Sequence, residues 1–249
     1  MQERATGTRP VPAGLAPTHA MSRPEPSRPR TLEALLLAPD GGGGARLRGF
    51  VPDRPAGVVL VLHGGRENSR QRVTRFQLAV LRMLPFAESI RRAGGGSLAV
   101  LRLTYRVRGW NGHSQDPVVD ARWALERIRR VLPGVPVALV GHSMGGRVAL
   151  TLAAEPGVAA VAGLAPWVEG DLRPPRAGTP VLLMHGSADR MTDPRRTALV
   201  AHRWDELGAD VTWVRVRGER HAMLRRAAEW HRTVADFVTG ALLRRDRPS

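Results

Sequence analysis

A chain of 249 residues with 43% hydrophobic content is long enough to build one large α/β domain around a sizeable core. Cysteine is absent, which excludes disulfides, thiolate zinc sites and a cysteine nucleophile, and no apolar run reaches the roughly 18 residues that a membrane-spanning helix needs. The formal charge of +16 comes from arginine alone, scattered over nearly every segment, and aromatic residues make up only 4%, a pattern of codon bias that argues against a specific nucleic-acid surface.

Residues 1–30 carry six prolines and five arginines and little to bury, so a disordered tail is expected there, with Met21 rivalling Met1 as the start. That stretch lacks the apolar core of a signal peptide, and its prolines would break the amphipathic helix of a transit peptide; the expected location is the cytoplasm. Next, Leu32–Ala38 and Ala45–Val51, joined by Asp40 and four glycines, predict an antiparallel hairpin of edge strands. Gly57–Leu62 is an unbroken Val/Leu run that stops at His63-Gly64-Gly65, as suits a strand buried on both faces of a parallel sheet. Leu98–Leu103, Val135–Val140 and Val181–Met184 share that character, and Val158–Leu164 and Val211–Val216 follow with weaker patterning.

Helical periodicity runs through Phe76–Arg92, Pro117–Val131, Gly145–Ala154, Pro194–Leu207 and Arg225–Leu243. Strand and helix alternating at this spacing predict crossover connections, hence an α/β fold with a mostly parallel sheet and helices on both faces. One domain over 31–244 and a short tail at 245–249 are expected.

Gly141-His142-Ser143-Met144-Gly145 follows Val135–Val140 directly and opens the helical segment after it. Strand, Gly-x-Ser-x-Gly, helix is the context in which a serine sits on a strained turn with its hydroxyl presented, and glycines flank it because a Cβ would strike its neighbours. The plain alternative is a glycine-rich turn with an ordinary serine. A serine hydroxyl attacks only when a base takes its proton and a further group orients that base.

Of eight histidines, His221 is the best candidate base: it lies in the loop Arg217–Met223 between the last strand and the final helix, at the carboxyl edge of the sheet. His113, in a loop, is its rival, whereas His142, next to the serine, is expected to point away. Asp189, five residues past Val181–Met184, completes the order Ser, Asp, His; Asp193 is the alternative, and its place before Pro194 suits a helix cap. Acyl transfer also needs two backbone donors for the developing oxyanion, and Met144 and Gly65 are the candidates. Arg66 would stand near a substrate carboxylate or simply face solvent.

Together these residues, over about Leu32 to Leu243, resemble the α/β-hydrolase superfamily, especially its small dienelactone-hydrolase-like and serine-peptidase-like branches. The resemblance implies an eight-stranded sheet and cofactor-free, metal-free hydrolysis of an ester, lactone, thioester or peptide by Ser143, Asp189 and His221, with Met144 and Gly65 as oxyanion donors. Serine at position 143 departs from the cysteine usual in dienelactone hydrolases and from the aspartate of haloalkane and epoxide hydrolases. Ala165–Gly178 is too short for the helical cap of many lipases, so an open site without a large cap follows; Trp110 and Trp167, each just past a strand, either wall that site or belong to the core. A carboxylic ester of small or medium acyl size is the expected substrate. A peptidase of the same fold, or an inactive scaffold with a basic binding surface, is the alternative.

Overall fold

The computed structural model describes residues 31–37, 44–170 and 172–243. The expected tails at 1–30 and 245–249 and the glycine-rich joint of the expected hairpin lie outside the described residues. The first described element corrects an expectation: Leu32–Leu37 is a helix, α1, and not a strand. Its sequence, LEALLL, consists of strong helix formers with no β-branched residue, and the Ala34 amide donates to Thr31 Oγ1 at 3.2 Å in an N-cap.

The sheet begins with β1 (Arg46–Phe50) and β2 (Gly57–Leu62), the second buried at all six positions. A short α2 (Leu78–Leu81) and α3 (Leu84–Ala93) follow where one helix is expected, because Pro85 has no N–H to continue a ladder and sits in the first turn of α3. Then come β3 (Leu98–Thr104), α4 (Asp116–Val131), β4 (Val137–His142), α5 (Met144–Thr151) and β5 (Val158–Leu164). The chain closes with β6 (Val181–Gly186), α6 (Pro194–Glu206), β7 (Val211–Val216) and α7 (Ala227–Leu243).

The seven strands form one sheet in the order β1-β3-β2-β4-β5-β6-β7, in which only β1 runs antiparallel. Seven strands among the described residues stand in place of the eight implied by resemblance, since the eighth would be the segment that folds as α1. Period-two alternation splits β2 between two cores. Val58, Leu60 and Leu62 point toward α1, α4, α5 and α6, while Val59 and Val61 point toward α3 and α7. Each fully buried Val or Leu stabilises the fold by roughly 1.5–3 kcal/mol, so such strands hold the frame of the molecule rigid.

Strand order creates the site. From β2 the chain moves to one side to make β3, then crosses back to make β4 on the other side, so a crevice opens at the carboxyl ends of β2 and β4. A reversal of this kind is where open α/β sheets place their ligands. No helix among the described residues is long and apolar enough to cross a membrane.

Candidate active site

Ser143 stands at the end of β4 with φ 57° and ψ −118°, backbone angles that cost a non-glycine residue on the order of 1–3 kcal/mol. Surrounding structure enforces them. The Ser143 amide donates to the Leu164 carbonyl at 2.9 Å, and the Ser143 carbonyl accepts from Arg147 at 3.1 Å and from Trp167 at 3.0 Å. A Cβ on Gly145 would run into the Leu62 and His63 carbonyl oxygens, which is why the turn needs glycine there. The half-buried serine thus sits between β2 and β5 at the amino end of α5.

The loop after β2 passes directly over it. A Cβ built on Gly64 would lie 3.4 Å from Ser143 Cβ, and one on Gly65 would strike the Met144 side chain and the Arg108 carbonyl. Gly65 is therefore required by close approach, and its neighbour Met144 opens α5, whose first-turn amides have no intrahelical acceptors. Arg66 is exposed, and its backbone pairs with Arg108 and Trp110.

On the other side, His221 follows β7 and is nearly enclosed. Its Nδ1–H donates to Asp189 Oδ2 at 2.8 Å, which leaves Nε2 as the basic nitrogen. The carboxylate of Asp189, whose side chain is fully buried, also meets His185 Nε2 at 3.1 Å and the Thr192 hydroxyl at 2.9 Å through Oδ2. Its Oδ1 accepts from the Met191 and Thr192 amides at 2.8 and 3.1 Å. Burial pushes its pKa up, but the hydrogen bonds from His185, His221 and Met191 outweigh that and hold the carboxyl well below the usual range. Asp189 is therefore an anion under ordinary conditions. Asp193, its rival, caps α6 by accepting from the Arg195 amide at 2.9 Å. His113 is exposed in a 3-10 turn, Gly112–Ser114.

Four further side chains, outside those the sequence singles out for the site, support this network. His142 is buried rather than turned away: its Nε2–H donates to the His221 carbonyl at 3.0 Å, and the two rings lie 4.7 Å apart. Burial first, then the like-charged His221, lowers its pKa to about 3, so it is a neutral strut beneath the His221 ring. His185 receives Thr197 Oγ1 at 2.8 Å on one nitrogen and faces Asp189 with the other, an i, i+4 pair readable only once the loop's fold is known. Thr192 Oγ1 lies 3.2 Å from His221 Nδ1 and 3.3 Å from the Ala165 carbonyl, tying the acid loop to β5. Glu219 holds the His221 loop by accepting from the Arg220 and Arg226 amides at 2.8 and 2.7 Å.

The structure brings Ser143, His142, His221 and Asp189 to one edge of the sheet. Among the described residues no hydrogen bond joins the Ser143 hydroxyl to the His221 ring. Trp110 and Trp167 meet edge to face at 6.0 Å, with the Arg147 guanidinium 4.0 and 4.5 Å from their ring centres. Trp110 is buried and Trp167 half-buried beside the Ser143 carbonyl. No cluster of three or more His, Asp or Glu suited to a metal ion occurs among the described residues.

A family model described as "Serine aminopeptidase, S33" matches residues 103–178, a span that includes Ser143 and ends before Asp189 and His221. No curated protein matches the sequence. Solved structures similar to this one include an α/β serine hydrolase without a lid from Xanthomonas campestris, 22% identical, with TM-score 0.61 over 82% of this chain and 90% of that one. A putative α/β hydrolase of unknown function from Agrobacterium tumefaciens is 17% identical, with TM-score 0.62 over 82% of this chain and 94% of that one. Est1E from Butyrivibrio proteoclasticus with bound ferulic acid is 14% identical, with TM-score 0.61 over 80% of this chain and 96% of that one. The chain has the α/β-hydrolase fold. It shares that fold with small serine hydrolases, and residues 165–180 between β5 and β6 hold no helix among those described that would cap the site.

Proposed function

We propose that this chain is a serine hydrolase, one domain over 31–244, that cleaves a carboxylic ester or related acyl bond through an acyl-enzyme on Ser143. His221 Nε2 takes the serine proton during attack and returns it to the leaving group, and Asp189 steadies the imidazolium that forms. The amides of Met144 and Gly65 receive the developing oxyanion. Trp167, with Trp110 behind it, walls the open site. The reaction needs no cofactor, and the cytoplasm is the proposed location.

One observation carries this reading: the 2.8 Å bond from His221 Nδ1 to a buried carboxylate, itself held by four further hydrogen bonds, at the same sheet edge as a strained serine. A structural ion pair has no need of a neighbouring serine held at positive φ. Purified protein is expected to hydrolyse short-chain nitrophenyl esters, and Ser143→Ala to abolish that turnover. Equal rates from the two proteins would refute the assignment.

The peptidase reading draws on the family match over 103–178. A panel of aminoacyl nitroanilides separates the two: turnover of these with no ester hydrolysis would replace esterase by peptidase at the same serine.

A further inference from the structure

Arg46, Arg48, Arg72, Arg75 and Arg106 line a single cleft of about 390 Å³, with Thr104 and Tyr105 in its wall. Local structure explains why they meet. Alternation along β1 sends Arg46 and Arg48 to the face opposite buried Leu47, and the antiparallel register sets Arg46 against Thr104 and Arg48 against Arg102. The loop carrying the others is pinned alongside: Arg72 bridges to Val107, and the Val73 amide donates to the Arg106 carbonyl at 3.4 Å.

Among the described residues, only one of the five cations, Arg106, is neutralised by a carboxylate. Arg106 Nε donates to Asp120 Oδ1 at 2.5 Å, and its Nη2 stands 3.5 Å from Asp116 Oδ1. Arg46, Arg48, Arg72 and Arg75 form no ion pair with any described residue, and Arg75 instead lies 4.7 Å over the Phe76 ring. Arg48 opposite Arg102 is a like-charged cross-strand pair, an arrangement that destabilises a sheet edge until an anion is present.

We propose that this cleft binds a phosphate-bearing anion of one or two phosphate groups. Guanidinium forks match phosphate oxygens bidentately, and four with no carboxylate partner among the described residues, in a cavity of this size, suit a compact, multiply charged oxyanion. A nucleic acid strand fits the cleft less well. The one aromatic residue in the lining, Tyr105, is 1% exposed, so the wall offers no platform for bases.

The cleft adjoins the end of β3, two strands from β4, at roughly 4.8 Å per strand and so about 10 Å from the nucleophile's strand on the same sheet edge. Two sources share the required chemistry: a free phosphate or pyrophosphate, and the phosphorylated alcohol of an ester whose acyl group reaches Ser143. The second source alone rests on the hydrolase reading.

Isothermal titration of pyrophosphate into the full chain at physiological salt is expected to show saturable one-to-one binding. Arg46→Gln with Arg72→Gln should weaken it by about tenfold or more, the scale of a lost charged hydrogen bond. Arg195→Gln with Arg225→Gln, the same charge change at exposed sites outside the cleft, should weaken it by about twofold at most. No saturable binding, equal loss in both double variants, or binding of a short oligonucleotide without binding of pyrophosphate would overturn the proposal. For the source, KM is measured on nitrophenyl acetate and on an ester with a phosphorylated alcohol. A rise in the Arg46/Arg72 variant for the second alone assigns the phosphate to substrate, and no rise for either assigns a free anion. Because the titration needs no turnover, an inactive hydrolase leaves this test intact.

Discussion

The two halves of the candidate active site are built from different materials. Around His221 and Asp189 the structure is side chain on side chain, with one carboxylate taking hydrogen bonds from two imidazoles, a hydroxyl and two amides. Around Ser143 it is backbone on backbone: a strained serine, amides at a helix start, and glycines against which neighbouring atoms leave no room for a Cβ. The first half is vulnerable to changes of charge and proton position, and the second to added volume.

The largest effect should come from the first half. Asp189→Asn keeps the size of the side chain but offers an amide N–H where His221 needs an acceptor, favouring the wrong tautomer. A fall in kcat on the order of 10⁴-fold is expected, with stability changed far less. A variant retaining a tenth of wild-type activity would show that the carboxylate does not orient the base. Gly65→Ala probes the second half. Its methyl group would collide with the Met144 side chain and the Arg108 carbonyl, displacing one oxyanion donor, so kcat should drop roughly 10²–10³-fold with KM little altered. Wild-type kcat in that variant would remove Gly65 from the oxyanion site.

A smaller effect separates the halves by pH. His142, beneath His221, has its pKa lowered to about 3 by burial, and His63, before the glycine loop, to about 4 for the same reason. Unfolding exposes both, so below pH 6.5 the unfolded chain binds protons that the folded chain refuses, and stability falls as pH drops from there toward 4. Each histidine contributes at most about 1.4 kcal/mol per pH unit. Denaturant titrations across that window should give His142→Gln a shallower slope than wild type by about that amount. Parallel slopes would mean that His142 is not held neutral in the fold.

Legibility in the sequence followed the same division. Gly57–Leu62, an unbroken run buried at every position, matches β2 residue for residue, and the weaker runs Val158–Leu164 and Val211–Val216 match β5 and β7 as well. β4 starts two residues later than its apolar run, since Pro136 has no N–H to enter a ladder, though its carbonyl accepts from Val58 at 2.9 Å. The stretch Leu32–Ala38 reads as a strand because a short apolar run carries no period, whereas in the fold Leu32–Leu37 is helix, favoured by its leucines and alanine once Thr31 caps it.

Within the site, the backbone half could be read because a glycine is visible as a letter and its reason is local. The supporting side chains could not. His142 reaches His221 across 79 positions of sequence, and Thr192 reaches it across 29. Arg147 finds its tryptophans only when the loops after β3 and β5 come together over α5. Such pairs are fixed by strand order, which alternating runs of hydrophobicity do not encode.

The most direct test of the account is to treat the protein with a fluorophosphonate probe, digest it and locate the adduct by mass spectrometry. One adduct, on the peptide containing Ser143, formed rapidly in wild type and slowed by orders of magnitude in Asp189→Asn, is the predicted result. Labelling spread over other serines, or none at all on folded wild-type protein, would contradict the claim that this serine is an activated nucleophile.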